Sequence, residues 1–207
     1  MAVNPYKVVA FDCDGVMFDT KKANDAYYNS ILNFFNMSPM TTEQAAYAHM
    51  HTVEEALNHL FNEPDIRSKA EKYRKEMAYQ PFMELMVIEP YLKKLLAKIR
   101  PTYSTAIATN RTNSIQRVLL DHGLRHDFDL VVSALDVANP KPFPDQLLKI
   151  VMHFQIKMSQ ILYIGDSKVD ELAAKAAQVP FASFNNPKLS ADYHINNLKE
   201  IEEILGL

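Results

Sequence analysis

An apolar run that ends on two carboxylates constrains this chain more than any other stretch: Lys7 to Thr20 reads KVVAFDCDGVMFDT. Val8, Val9, Ala10 and Phe11 carry no helical period, the pattern of a short strand buried on both faces. The run stops at Asp12 and Asp14, and Gly15 follows where the backbone must leave the sheet. In open α/β sheets the working groups gather at the carboxyl ends of the strands. Carboxylates this close repel unless a cation or a shared proton intervenes, and a hard divalent metal is the economical answer. A calcium loop needs its glycine at the sixth position, and Gly15 is fourth counting from Asp12, which excludes that motif. An exposed acidic turn is the plain alternative.

The 207 residues suffice for one sizeable domain or a core carrying a smaller insertion. Lys and Arg number 22 against 25 Asp and Glu, a net charge of −3 with no basic run, which argues against nucleic acid or an anionic membrane as the partner. A small ligand is expected, and a monomer or homodimer. One cysteine excludes an internal disulfide framework, the N-terminus lacks the apolar core of a signal peptide, and no apolar stretch approaches the roughly 20 residues of a membrane span, so a reducing cytoplasm is expected. That cysteine, Cys13, stands between the two acids; their field suppresses its thiolate, and a packed strand-end thiol is expected.

From Lys21 to about Gln80 strand character gives way to helical patterns. Ala26, Tyr27, Ser30, Ile31, Phe34 and Phe35 recur at helical spacing, Thr41 to Gln44 has the form of a capping box, and a helix from Thr52 carries Ala56, Leu57, Leu60 and Phe61 on one face. Pro64-Asp65 opens another helix with Ile66, Ala70, Tyr73 and Met77 turned inward. From Glu89 onward strands and helices alternate: strands at 102–108, 129–133, 161–164 and 180–184, helices at 90–99, 114–122, 145–154, 168–178 and 198–205. Repeated strand–helix units imply a parallel sheet covered on both faces, with right-handed crossovers. The expected class is α/β: a Rossmann-like parallel core from residues 1–19 and 85–207, with an inserted α-helical cap at 20–84.

Four loops of this sheet converge on one edge. The first supplies Asp12 and Asp14. The second supplies Thr109, whose hydroxyl suits a phosphoryl oxygen, followed by the backbone N–H groups of Asn110 and Arg111; an ordinary helix N-cap is its alternative. The third supplies Lys141 between Pro140 and Pro142, a cation on a stiff loop. The fourth supplies Asp166, with Asp170 one helical turn later. Each alone has an ordinary explanation as a cap, a surface lysine or an acidic helix start. Together they describe metal-assisted phosphoryl transfer, with Mg²⁺ and Lys141 neutralising charge while Asp12 attacks in line.

The order DCDGVMFDT, ATN, NPKPFPD, YIGDSKVD resembles the haloacid dehalogenase superfamily, in its phosphoglycolate-phosphatase-like and beta-phosphoglucomutase-like branch. VEEALNHL is similar to a cap helix of that branch, and ADYHINNLKEI to its final strand and helix. The resemblance implies that Asp12 is a nucleophile forming an aspartyl-phosphate, and that Asp14 protonates the leaving oxygen, later takes a proton from water, and binds Mg²⁺ through its backbone carbonyl. It also implies that Asp166 completes the metal shell and Asp170 supports it from behind, while Thr109, Asn110 and Lys141 hold the phosphoryl group. Dehalogenating members need neither the second acid nor the metal, so Asp14 favours phosphate over halide. Two departures stand out: Gln178 where a helix-ending Gly is usual, and Phe184-Asn185-Asn186 where a glycine-containing turn is usual.

Substrate choice is expected to reside in the cap, where the resemblance places His49 and His51 on a loop facing the site. The expected function is Mg²⁺-dependent hydrolysis of a small phosphorylated metabolite. A phosphomutase and a non-catalytic phosphate-binding module are the alternatives; the latter would be marked by loss of Asp12, Asp14, Lys141 or Asp166, and all four are present.

Overall fold

The computed structural model describes residues 4–207. They form two compact units, one containing the chain up to Phe18 and from Ile88 to Leu207, the other Asp19–Val87. Among the described residues no helix is long and apolar enough to cross a membrane.

The first unit is built on a six-stranded sheet. Its strands are β1 (Val8–Phe11), β4 (Ser104–Ala108), β5 (Leu130–Val132), β6 (Ile161–Gly165), β7 (Phe181–Phe184) and β8 (Tyr193–Ile195), while β2 (Phe18–Asp19) and β3 (Val87–Ile88) make a separate two-stranded sheet. The order β5-β4-β1-β6-β7-β8 is parallel throughout, with Phe11 opposite Ile107 on one side and Ile164 on the other. Strands β4 and β5 build outward on one side of β1 and β6 to β8 on the other, so the topology reverses about β1, where open α/β sheets leave a crevice at the strand ends.

Alternation within each strand divides the core. Val8 and Ala10, Ala106 and Ala108, and Ile161 and Tyr163 pack with Leu147, Ile150 and Val151 of the helix Asp145–Phe154 and with Ala173, Ala174 and Ala177 of the helix Lys168–Ala177. Val9, Phe11 and Ile107 are also fully buried, so both faces of the sheet are covered, as the unbroken apolar runs require. Small alanines on β4 let the helices approach closely.

The second unit is helical: Lys21–Phe34, Thr42–Met50, Val53–Leu60, Pro64–Glu76 and the short Gln80–Met83. Its core joins Tyr27, Tyr28, Ile31 and Leu32 to Ala56, Leu57, Leu60, Phe61 and Ala70. Both expected starts carry capping boxes, Thr41 with Gln44 and Thr52 with Glu55. Phe34 is 56% exposed, because the buried stripe of its helix runs through Tyr28 and Leu32, and it stacks on Tyr73 at 3.8 Å between ring centroids.

Gln178 ends its helix in the left-handed region at φ 57°, and its N–H donates to the carbonyls of Ala174 and Lys175. A side chain in that conformation costs about 1 kcal/mol relative to glycine. Gln178→Gly is therefore expected to raise the unfolding free energy by about 0.5–1 kcal/mol, read from the urea midpoint, with kcat unchanged.

Candidate active site

The ladder of β1 runs one residue beyond the strand, the Asp12 N–H donating to the Ile164 carbonyl at 2.8 Å. The chain then turns at once: Met17 and Phe18 N–H both reach back to the Cys13 carbonyl, and Gly15 N–H meets the Phe18 carbonyl. Gly15 sits at φ 82°, and a Cβ there would lie 2.1 Å from Oδ2 of Asp166. Glycine thus serves twice, making the turn and leaving room for a carboxylate from β6. Gly165, at the end of β6, does the same for its neighbour, since a Cβ would come within 2.4 Å of the Asp170 Cβ.

Lys141 arrives from the loop after β5 and is 1% exposed. Its ammonium lies 2.7 Å from Oδ1 of Asp12, 2.7 Å from Oδ1 of Asp170 and 3.0 Å from the hydroxyl of Tyr163. Its backbone is held by two side chains: Asn110 donates its amide to the Lys141 carbonyl at 2.9 Å, and Gln146 accepts from the Lys141 N–H at 3.3 Å. Gln146 also donates to the Thr109 carbonyl at 2.7 Å, tying the second loop to the third.

Asp170 has both oxygens fully engaged. Oδ1 accepts from Lys141 and from Tyr163, and Oδ2 accepts from the N–H and the hydroxyl of Ser167. Those four bonds use the four lone-pair positions of a carboxylate, so Asp170 orients its neighbours rather than binding an ion itself. Tyr163 and Gln146 are contributors that the sequence reading missed; a hydroxyl or an amide inside an apolar strand or helix was their signal.

Asp12, Asp166 and Asp170 place ligand oxygens within 4.8 Å of one another. Burial, opposed by Lys141 and reinforced by Asp170 and Asp14, pushes Asp12 up to about 7. Burial and the same neighbouring carboxylates hold Asp166 well above the ordinary range. Asp170 is also buried, but Lys141, Ser167 and Tyr163 outweigh that and keep it below the usual value. Burial alone would lower Lys141, yet Asp12 and Asp170 raise it and keep it charged. With all three carboxylates ionised, one ammonium leaves two negative charges, the deficit that a divalent cation fills. The buried acidic cluster therefore fits a metal site.

The remaining expected residues divide in two groups. Thr109 is buried, and its Oγ1 accepts from the Arg111 N–H at 3.1 Å, which keeps its own proton as a donor and removes the Arg111 amide from the expected anion cradle. The helix that follows starts at Ser114 with Asn113 as its N-cap, so Thr109 is not a cap. His49 and His51 lie in the helical unit: His49 closes the last turn of Thr42–Met50 and pairs with the Asn24 amide at 3.0 Å, and His51 stacks on Tyr47. The turn after β7, where this chain has no glycine, is made by Asn185 at φ 51°, and Asn186 donates to the Asp166 carbonyl at 2.8 Å. Cys13 is fully buried, and burial together with Asp14 pushes its thiol far up, as expected of a packed thiol.

The haloacid dehalogenase-like hydrolase family matches residues 9–184. The chain belongs to that family. Its fold agrees with the crystal structure of a haloacid dehalogenase superfamily hydrolase, subfamily IA, from Geobacter sulfurreducens, at 35% identity, TM-score 0.80 and 98% coverage of both chains. A phosphoglycolate phosphatase of Vibrio parahaemolyticus is 24% identical over 100% of this chain and 99% of its own length. That of Vibrio cholerae is 32% identical over 55% of this chain, an alignment that takes in about half (51%) of that relative.

Gly15→Ala is expected to leave the far-UV circular dichroism unchanged while displacing the Asp166 carboxylate, which a methyl would meet at 2.1 Å. Phosphate release should fall about a hundredfold or more, the size of loss that a misplacement near 1 Å can produce.

Proposed function

We propose that the enzyme hydrolyses small phosphate monoesters, phosphoglycolate among them, through an aspartyl-phosphate on Asp12. The observation that carries this reading is the position of Asp12: it ends the central strand with Lys141 at 2.7 Å and shares a buried carboxylate cluster with Asp166. Asp12 and Asp166, with the backbone carbonyl of Asp14, would hold Mg²⁺. When bound, that ion supplies the positive charge that lets an anionic carboxylate meet an anionic phosphate.

In the first step a carboxylate oxygen of Asp12 bonds to phosphorus as the bond to the leaving oxygen breaks, and Asp14 delivers a proton to that oxygen. In the second, Asp14 takes a proton from water, the water oxygen bonds to phosphorus, and the Asp12–phosphorus bond breaks to release inorganic phosphate. Lys141 and the Thr109 hydroxyl hold the phosphoryl oxygens, with Asn110 keeping Lys141 in place. Asp170 and Tyr163 fix the Lys141 ammonium so that it follows the charge from Asp12 to the transferred group.

The helical unit acts as the cap in this reading, and His49 and His51 contribute to choice of the leaving group. The substrate is a small phosphorylated metabolite, handled by a monomer or homodimer. The buried free thiol of Cys13 suits a reducing cytoplasm.

Asp12→Asn is expected to fold and to release no phosphate from p-nitrophenyl phosphate in Mg²⁺; full activity in that variant would remove Asp12 from the reaction. A panel of phosphoglycolate, sugar phosphates and nucleotides, assayed with Mg²⁺ and with EDTA, should show release that EDTA abolishes. Isomerised sugar phosphate without release would identify a mutase instead.

A further inference from the structure

Arg111 directly follows the second motif, two positions after Thr109, and reaches across to the first. Its Nε lies 2.7 Å from Oδ2 of Asp14 and its Nη2 2.7 Å from Oδ1, a two-pronged ion pair between residues 97 apart in sequence. Side-chain exposures of 6% for Arg111 and 15% for Asp14 put the pair largely out of water. The Arg111 backbone is fixed on both sides: its N–H donates to Thr109 Oγ1 at 3.1 Å, and its carbonyl accepts from the Ala134 N–H at 3.0 Å, beyond β5. Nη1 lies 3.4 Å from the Ser114 hydroxyl. The guanidinium is thus delivered from a set position.

A planar fork imposes both the distance and the plane of a carboxylate, which a lysine ammonium does not. Asp14 needs such a constraint, because its own backbone turns directly into Gly15, at φ 82°.

We propose that Arg111 is a positioning residue for Asp14, aiming its carboxyl at the oxygen that leaves phosphorus. This rests on the reading of Asp14 as the group that protonates the leaving oxygen. A leaving alkoxide depends on that proton, whereas p-nitrophenolate, a weak base, hardly needs it. The ratio of kcat/KM for phosphoglycolate to that for p-nitrophenyl phosphate therefore reports the aim of Asp14, since kcat/KM covers the steps up to departure of the leaving group.

Arg111→Met is expected to lower this ratio about tenfold or more, a fraction of what a positioned acid supplies. Arg111→Lys should move it in the same direction by less, and carries the comparison if the methionine variant melts early. Placed in an Asp14→Asn background, Arg111→Met should leave the ratio within about twofold, because the group it aims is gone. Three results would overturn the proposal: equal losses on both substrates, a rise in KM with the ratio intact, or a further fall in the ratio in the Asp14→Asn background. Failure of the underlying mechanism looks different. If Asp12→Asn still releases phosphate, or Asp14→Asn alone leaves the ratio at the wild-type value, the catalytic assignment falls irrespective of Arg111.

Discussion

Lys141 is enclosed to 1% exposure with carboxylates of Asp12 and Asp170 each 2.7 Å from its ammonium, and a charge held that far from water dictates much of what surrounds it. Removing one partner of an enclosed pair costs about 3–5 kcal/mol, because the other is left as an unmatched ion. The fold answers with a complete set of neighbours: Tyr163 from β6, Asp170 from the following helix, and Asp12 from β1. The addition of Asp166 tips the balance, leaving more negative charge than Lys141 can match. The pocket of acids is therefore stable only with protons or a cation in it, and burial raises Asp12 and Asp166 accordingly.

Rigidity at this edge comes from side chains that tie the loops to one another. Gln146 bridges the Thr109 carbonyl and the Lys141 N–H, Asn110 holds the Lys141 carbonyl, Ser167 and Tyr163 saturate Asp170, and Asn186 holds the Asp166 carbonyl. Loops on a parallel sheet would otherwise be its least ordered parts. Here each is tied to the next by a buried amide or hydroxyl whose removal would leave an unsatisfied partner.

Much of this was legible in the sequence. The strand ends at Asp12, Thr109 and Asp166 follow from apolar runs interrupted by polar residues, and the capping boxes at Thr41 and Thr52 from local chemistry that needs no tertiary context. What escaped was chemistry between distant segments. The sequence yielded only a backbone role for Arg111, because nothing local says that its side chain turns toward Asp14 rather than solvent. Tyr163 read as one more apolar strand residue, and periodicity alone did not tell whether Phe34 faces the core, since its helix buries the neighbouring stripe. Strand β8 has three residues of mixed polarity, too short for a pattern of its own, and was anticipated through the resemblance.

The chain has four glycines in 207 residues, and two of them, Gly15 and Gly165, stand where carboxylates press against the backbone. The other two, Gly123 and Gly206, make left-handed turns, and Asn36, Gln155, Gln178 and Asn185 make the same turn with a side chain, each accepting local strain. A polypeptide so poor in its most pliable residue explores fewer backbone states when unfolded, and so surrenders less disorder on folding. Strain in the native turns and stiffness in the denatured ensemble work in opposite directions, so a chain that spends half of its few glycines beside the acids still folds without a larger entropic cost.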